Sequence, residues 1–210
     1  MDIEFIHDLE HRLKEDLPGE EVQNRMAPIL ITEERMPAPE NHLIGCVLAL
    51  LYPKDRKTYL ALIERTSFHS GDKHAGQISF PGGKLEESDY SYEDCALRET
   101  YEEIGVMPES VGILGNLTPL YVPVSNFLIH PFIGFTAEYP KFNLHDTEVK
   151  SLIELPIEHI LKSKYKGMAD IEARGMTIKD VPYYDAAGKR IWGATAMIMS
   201  ELEQIISDLD

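Results

Sequence analysis

The stretch GGKLEESDYSYEDCALRETYEEIGV, residues 82–106, decides how the rest of the chain is read. Ser91 and Asp94 stand at the spacing of a capping box, with Asp in place of Glu, and Gly105 stands where a helix would stop. On that helix Glu99, Glu102 and Glu103 occupy i, i+3 and i+4 and share a direction. Leu97, Tyr101 and Ile104 occupy i, i+4 and i+7 on another face, which is expected to bury against a sheet. A Glu-rich helix alone reads as a solvated acidic face. Two features argue against that here. The acids lie in the second half of the helix, where the dipole disfavours negative charge, and FPGGK precedes it, a turn whose glycines let backbone approach a ligand. A divalent cation relieves the repulsion, and Mg²⁺ takes a few carboxylates together with waters and phosphate oxygens. Arg98 is placed to tie Asp94 and Glu102 together at i±4 spacing.

Composition sets the frame around this helix. The 210 residues, 43% hydrophobic and 27% charged, suffice for one full globular core. A net charge of −16 argues against a broad nucleic-acid face, which needs excess Lys and Arg. Small anionic substrates stay open, because a metal or a few local cations can reverse the sign inside a cleft. The two cysteines, Cys46 and Cys95, give neither a disulfide framework nor a zinc cluster. MDIEFIHDLEHRL lacks the pattern of a signal peptide, and LIGCVLALLY (43–52) is too short to span a bilayer, so a cytoplasmic protein without membrane contact is expected.

The chain divides, on this reading, into a helical N-terminal extension, 1–40, and a main domain, 41–210. Apolar spacing predicts a helix over 1–17 and a short turn over 20–26, with RMPAPEN (35–41) as the joint. Strands are predicted at 43–52, 58–64, 111–121, 127–139 and 148–155, and a short helix at 156–165. VPYYDAAGKRIW reads as a hairpin turning at Ala187-Gly188. A last helix covers 193–209, with Ala196, Met199, Leu202, Ile205, Ile206 and Leu209 on one side and Trp192 anchoring its start. Tyr121, Phe127 and Phe132 are expected to pack in the core rather than stack on a base. Strands interleaved with helices give an α/β domain with a mixed sheet.

Gly83, Asp89, Arg98, Glu99, Glu102, Glu103 and Gly105, in that order, resemble the signature of the Nudix hydrolases, with Thr100 where that family usually has an aliphatic residue. Eight residues rather than seven separate Asp89 from Arg98, and that spacing with Asp resembles the coenzyme A diphosphatase branch. LIERTSFHSGDKHAGQISFPGG (62–83) looks like that branch, HAGQISFPGG (74–83) most closely. VPVSNFLIHPF (122–132), EVKSLIELPIEHIL (148–161) and IWGATA (191–196) are similar to it as well, so the likeness runs over 43–206. It departs at Asp72, where the branch usually carries Arg, and in the longer loop 66–73, which weakens coenzyme A specificity.

The resemblance implies a Nudix-type α/β/α sandwich and hydrolysis of a nucleoside diphosphate linked to another group, with Mg²⁺ or Mn²⁺ as cofactor. Carried onto this chain, Glu99, Glu102, Glu103 and the carbonyl of Gly82 are metal ligands. Glu102, Glu103, Arg98 and Glu148 form the catalytic set, with Arg98 orienting the glutamates and Glu148 a candidate general base beside the helix glutamates. Gly83 and Lys84 lie against substrate, and Arg65, Lys73 and His74 are the cations nearest to a 3′-phosphate. The implied substrate is coenzyme A or a thioester, split to 3′,5′-ADP and 4′-phosphopantetheine. Competing readings keep the chemistry but change the substrate to ADP-ribose, a dinucleotide or a nucleoside triphosphate. Another is a non-catalytic metabolite sensor, which retention of all three glutamates disfavours. A P-loop fails, because Ile78 stands where its first glycine belongs and Leu85 replaces the Ser or Thr that would reach Mg²⁺. The resemblance also implies a homodimer built by the extension and the last helix.

Overall fold

The apolar run at 43–52 becomes the strand around which everything else is arranged. This strand, β1 (Leu43–Lys54), buries Cys46, Leu48, Leu50 and Tyr52 on one face and Ala49 and Leu51 on the other. Cover on both faces is why it lacks the polar alternation of an exposed strand. A two-residue turn, Asp55-Arg56, with both φ positive (49° and 62°), returns the chain into β2 (Lys57–Arg65). That is the hairpin geometry whose twist matches paired strands. The computed structural model describes residues 3–28, 35–66, 76–173 and 175–209.

Three further strands flank this pair. β3 (Ile78–Ser79) and β8 (Val149–Pro156) lie against β2, and β4 (Gly82–Lys84) lies against β1, all antiparallel. On its other edge β1 runs parallel to β7 (Phe127–Phe135), which carries β5 (Gly112–Asn116) and β6 (Leu120–Val122) antiparallel. The sheet is therefore mixed, as the sequence predicts. Helix α3 (Tyr92–Ile104) packs Cys95, Ala96 and Ile104 on the face of Leu48 and Leu50. The opposite face is covered by α5 (Ala194–Ser207), with Ala196, Met199, Leu202 and Ile205, and by Ile6, Leu9 and Leu13. Helices on both faces give the α/β/α sandwich.

The N-terminal residues share that core. α1 (Ile3–Arg12) and α2 (Gly19–Asn24) are separate helices, and the predicted helix over 1–17 ends at Arg12, where the chain turns ahead of Pro18. Glu201 of α5, fully buried, fixes the junction. It accepts hydrogen bonds from Gln23 Nε2 (2.7 Å), Gly19 N (3.1 Å), and Thr118 Oγ1 (2.6 Å) and N (3.2 Å). The same contact explains a second departure. The strand predicted over 111–121 breaks into β5 and β6 because Thr118 spends its N–H on Glu201 and Pro119 has none to give.

The strand predicted over 127–139 stops at Phe135, and the helix predicted over 156–165 is reduced to α4 (Glu158–Leu161) and a 3-10 turn, Ser163–Tyr165. A small second sheet is formed by β9 (Lys166–Ala173), β10 (Met176–Ala186) and β11 (Lys189–Ile191), turning at Ala187-Gly188 as expected. The sequence reading did not include β9, whose residues KGMADIEA lack a strong period. Glu64 ties the two sheets, accepting from Lys150 Nζ (2.7 Å), Ser151 Oγ (3.0 Å) and Lys189 Nζ. Among the described residues no helix is long and apolar enough to cross a membrane.

Candidate active site

Ser91 caps α3 as its spacing predicts: Asp94 N donates to Ser91 Oγ (3.0 Å), and Gly105 closes the helix in the left-handed region at φ 74°. The buried face is rotated from the one predicted. Ala96, Thr100 and Glu103, at i, i+4 and i+7, point into the protein, and the small side chains of Cys95, Ala96 and Thr100 let the helix lie close to the sheet. Tyr101, predicted to be buried, is left 47% exposed. Glu103 thereby joins the stripe that enters the core, with only 1% of its surface exposed.

A buried carboxylate needs partners. Glu103 finds them on two strands: Gly82 N donates to it at 2.8 Å and Arg65 Nη1 at 3.0 Å. Arg65 is aimed there by a bulge at the end of β2, where the register with β8 shifts between Glu64 and Arg65. Burial outweighs these partners and pushes the Glu103 carboxyl up to about 7.

Glu99 lies against the backbone of Gly83, where a Cβ would stand 2.4 Å from its Cδ. Burial raises its carboxyl also, opposed by Arg98. Arg98 gathers this side of the site. Its Nε and Nη2 donate to Asp89 at 2.7 and 3.0 Å, its Nη1 donates to Glu99 and Glu102 at 3.0 Å each, and Nη2 reaches the Lys84 carbonyl at 3.1 Å. The predicted partner Asp94 is replaced by Asp89, because a guanidinium fork reaches the loop before the helix as easily as the next turn. Hydrogen bonding from Arg98 holds the Asp89 carboxyl down at about 2. Glu102, with a side chain 51% exposed, stands at the solvent edge.

The loop before β8 closes over the end of α3. His145 N donates to the Glu103 carbonyl (3.0 Å) and Asn143 N to that of Ile104 (2.9 Å). This brings Glu148 into the same field, where its charge contributes to raising the carboxyls of both Glu99 and Glu103. Glu148 itself is half exposed, with His145 Nδ1 4.0 Å away.

A family model described as NUDIX domain matches residues 43–174, well over half the chain.

The chain belongs to the NUDIX family.

Among curated proteins it is similar to the uncharacterized Nudix hydrolase NudL of Pectobacterium atrosepticum, 36% identical over 137 residues, covering 65% of this chain and 70% of that protein. NudL of Citrobacter koseri is 34% identical over 155 residues, covering 73% and 79%. Among solved structures, the Nudix hydrolase RenU from M. smegmatis superposes with a TM-score of 0.53 at 13% identity, covering 80% of this chain and 88% of that one. A MutT/nudix family protein from Enterococcus faecalis gives 0.53 at 19%, covering 88% and 72%. At these identities the likeness is one of fold.

Within that fold the predicted residues fall as follows. Glu99, Glu102, Glu103, Arg98, Gly82, Gly83, Arg65 and Glu148 lie around one end of α3, while Lys73 and His74 lie outside the described residues. Lys84 contributes its carbonyl, with its side chain exposed. Among the described residues no three carboxyl or imidazole groups already enclose one point. The reason is visible: guanidinium groups stand where repulsion must be relieved, Arg98 between Glu99 and Glu102 and Arg65 on Glu103. The donor set nevertheless suits a hard cation that keeps much of its own water, since every candidate ligand is an oxygen and Glu102 is open to solvent. Sequence reasoning missed the Arg65–Glu103 pair, which joins residues 38 apart, and no local signal would have found it.

It also missed an apolar cavity of about 350 Å³ on the α5 side of the sheet. Phe80, Val47, Ile129, Trp192 and Ile198 are among its walls, whereas Tyr121, Phe127 and Phe132 are not. Phe132 packs in the core on the α3 side, as expected.

Proposed function

We propose that this chain hydrolyses the pyrophosphate bond of coenzyme A or its thioesters, releasing 3′,5′-ADP and 4′-phosphopantetheine or its acyl derivative. Membership of the NUDIX family supports the reaction class. One observation carries the substrate. Three stretches remote in sequence, each resembling the coenzyme A diphosphatase branch, meet around a single cavity: Gln77, Ser79 and Phe80 from the first, Val122 and Ser125 from the second, Trp192 and Thr195 from the third.

On this reading Glu99, Glu102 and Glu103, with the Gly82 carbonyl, hold Mg²⁺ or Mn²⁺. Such an ion, when bound, neutralises pyrophosphate charge and acidifies a coordinated water. The chain's own residues supply the positioning on which phosphoryl transfer depends. Arg98 holds Glu99 and Glu102 in place from Asp89 and takes no part in bond making. Gly83, lacking a side chain, lets the backbone of β4 come up to Glu99, and Gly82 N holds Glu103. Glu148, whose charge both glutamates feel, accepts the proton of the attacking water. Arg65, with a third of its side chain exposed, remains accessible to a substrate phosphate beyond Glu103.

A hydrolysis panel tests this: coenzyme A, acyl esters, ADP-ribose, NADH and nucleoside triphosphates, each with Mg²⁺ or Mn²⁺, products resolved by mass. Release of 3′,5′-ADP from coenzyme A compounds with the highest kcat/KM supports the reading. Preference for ADP-ribose or a triphosphate by about tenfold or more would replace it with another Nudix substrate.

A further inference from the structure

The cavity has a chemistry that the pyrophosphate reaction does not use. Its described lining contains no charged side chain, so neither the diphosphate nor a 3′-phosphate finds a counterion inside it. Its hydroxyls are almost all engaged. Thr195 Oγ1 donates to the Ile78 carbonyl (3.1 Å) and Ser125 Oγ to that of Val122 (3.4 Å), which leaves Ser79 Oγ buried without a partner. A nucleobase carries donors and acceptors around its whole edge and would leave most of them unpaired here. An aliphatic arm with an occasional amide would not.

The cavity also opens to water through apolar residues. Val124 and Met176, which help line it, are 57% and 63% exposed. Met176 follows the tip of the β9–β10 hairpin, and its flexible thioether adapts to apolar ligands of varied shape. At its other end the cavity abuts the carboxylate site. Val47 lines it, and a Cβ placed on Gly82 would touch Val47 Cγ1 at 2.8 Å, while Gly82 N is bonded to Glu103. The cavity wall and the Glu103 carboxylate thus lie one strand pairing apart, Val47 with Gly82.

We propose that this cavity receives the neutral arm of the leaving half of the substrate, pantetheine with the acyl chain on its sulfur, and so makes the protein favour acylated coenzyme A. The assignment rests on the coenzyme A reading above. It places the adenosine half outside the cavity, on the solvent side of the glutamates.

Trp192 is the only tryptophan and lines the cavity, so its fluorescence reports occupancy without any turnover. The protein is titrated with pantetheine, decanoyl-pantetheine and 3′,5′-ADP, and kcat/KM is measured for coenzyme A and decanoyl-coenzyme A. The expected result is a Trp192 response to decanoyl-pantetheine with Kd at least about tenfold below that of pantetheine, a similar preference in KM, and silence towards 3′,5′-ADP. Met176→Glu, at an exposed position, should weaken decanoyl-pantetheine at least about tenfold. A response to 3′,5′-ADP with none to decanoyl-pantetheine overturns the proposal in favour of a base site. Hydrolysis of coenzyme A with no dependence on chain length and no Trp192 response overturns it while the proposed reaction stands. Binding of decanoyl-pantetheine without hydrolysis of any coenzyme A compound upholds the cavity and removes the proposed substrate.

Discussion

The backbone of Gly83 is backed against the carboxylate of Glu99, so closely that a Cβ there would lie 2.4 Å from Cδ and 2.5 Å from each oxygen. Its neighbour Gly82, at φ 150°, presses on backbone: a Cβ would lie 2.3 Å from the Cys46 carbonyl oxygen and 2.6 Å from Val47 Cα. The two glycines therefore serve different ends. Gly83→Ala displaces the end of a side chain and is expected to lower kcat/KM by about tenfold or more with stability nearly unchanged. Gly82→Ala opposes strand pairing and is expected to cost about 2–4 kcal/mol in urea unfolding. Equal losses of stability from both changes would show that Glu99 is not free to move.

Glu103→Gln keeps the shape of the side chain and one acceptor for Gly82 N. Hydrolysis should fall by about a hundredfold or more while the far-ultraviolet circular dichroism is unaltered. Wild-type turnover accompanied by a lower melting temperature would instead make Glu103 structural.

The same residue gives a pH signature without divalent ions. Its folded carboxyl is pushed up to about 7 from the 4.5 of an ordinary glutamate, so the folded chain binds more protons than the unfolded one between those values. Its contribution to stability is fully present below the unfolded value and is lost as pH rises through about 7. Melting temperatures of wild type relative to Glu103→Gln should therefore fall across that window.

Arg98 acts through a planar fork that a single ammonium cannot reproduce. Arg98→Lys should keep the charge, lose the joint hold on Asp89, Glu99 and Glu102, and reduce activity by about ten- to a hundredfold. A raised metal concentration for half-maximal rate, measured beside kcat, separates this positioning role from a fold defect.

Glu64 supplies the acid limb of stability. Hydrogen bonds from Lys150 and Lys189 lower its carboxyl from 4.5 to about 2, so its contribution is present above the unfolded value and is lost as pH falls towards about 2. Glu64→Gln should flatten the decline in unfolding free energy over that acid window, measured by urea titration at successive pH values.

Much of the fold was legible because its signals are local. The cap at Ser91, the stop at Gly105, the turn at Ala187-Gly188 and the doubly covered run of β1 each follow from backbone preferences or side-chain period within a few residues. The errors came where distant groups intervened. Thr118 leaves the strand predicted over 111–121 to bond Glu201, 83 residues away, and Asp89 displaces Asp94 as the anchor of Arg98.

The sequence by itself determined that three glutamates ride on one helix behind a glycine turn, since helical spacing and glycine's missing side chain need nothing beyond neighbouring residues. Only the tertiary structure decided that these glutamates differ. Packing depth turns Glu103 into the protein and leaves Glu102 in water, and desolvation makes chemically identical carboxyls unequal. The cavity beside Trp192 belongs to the same class of fact. Its walls come from segments spread between Pro28 and Ile198, and no property of any one of them encodes a shared hollow.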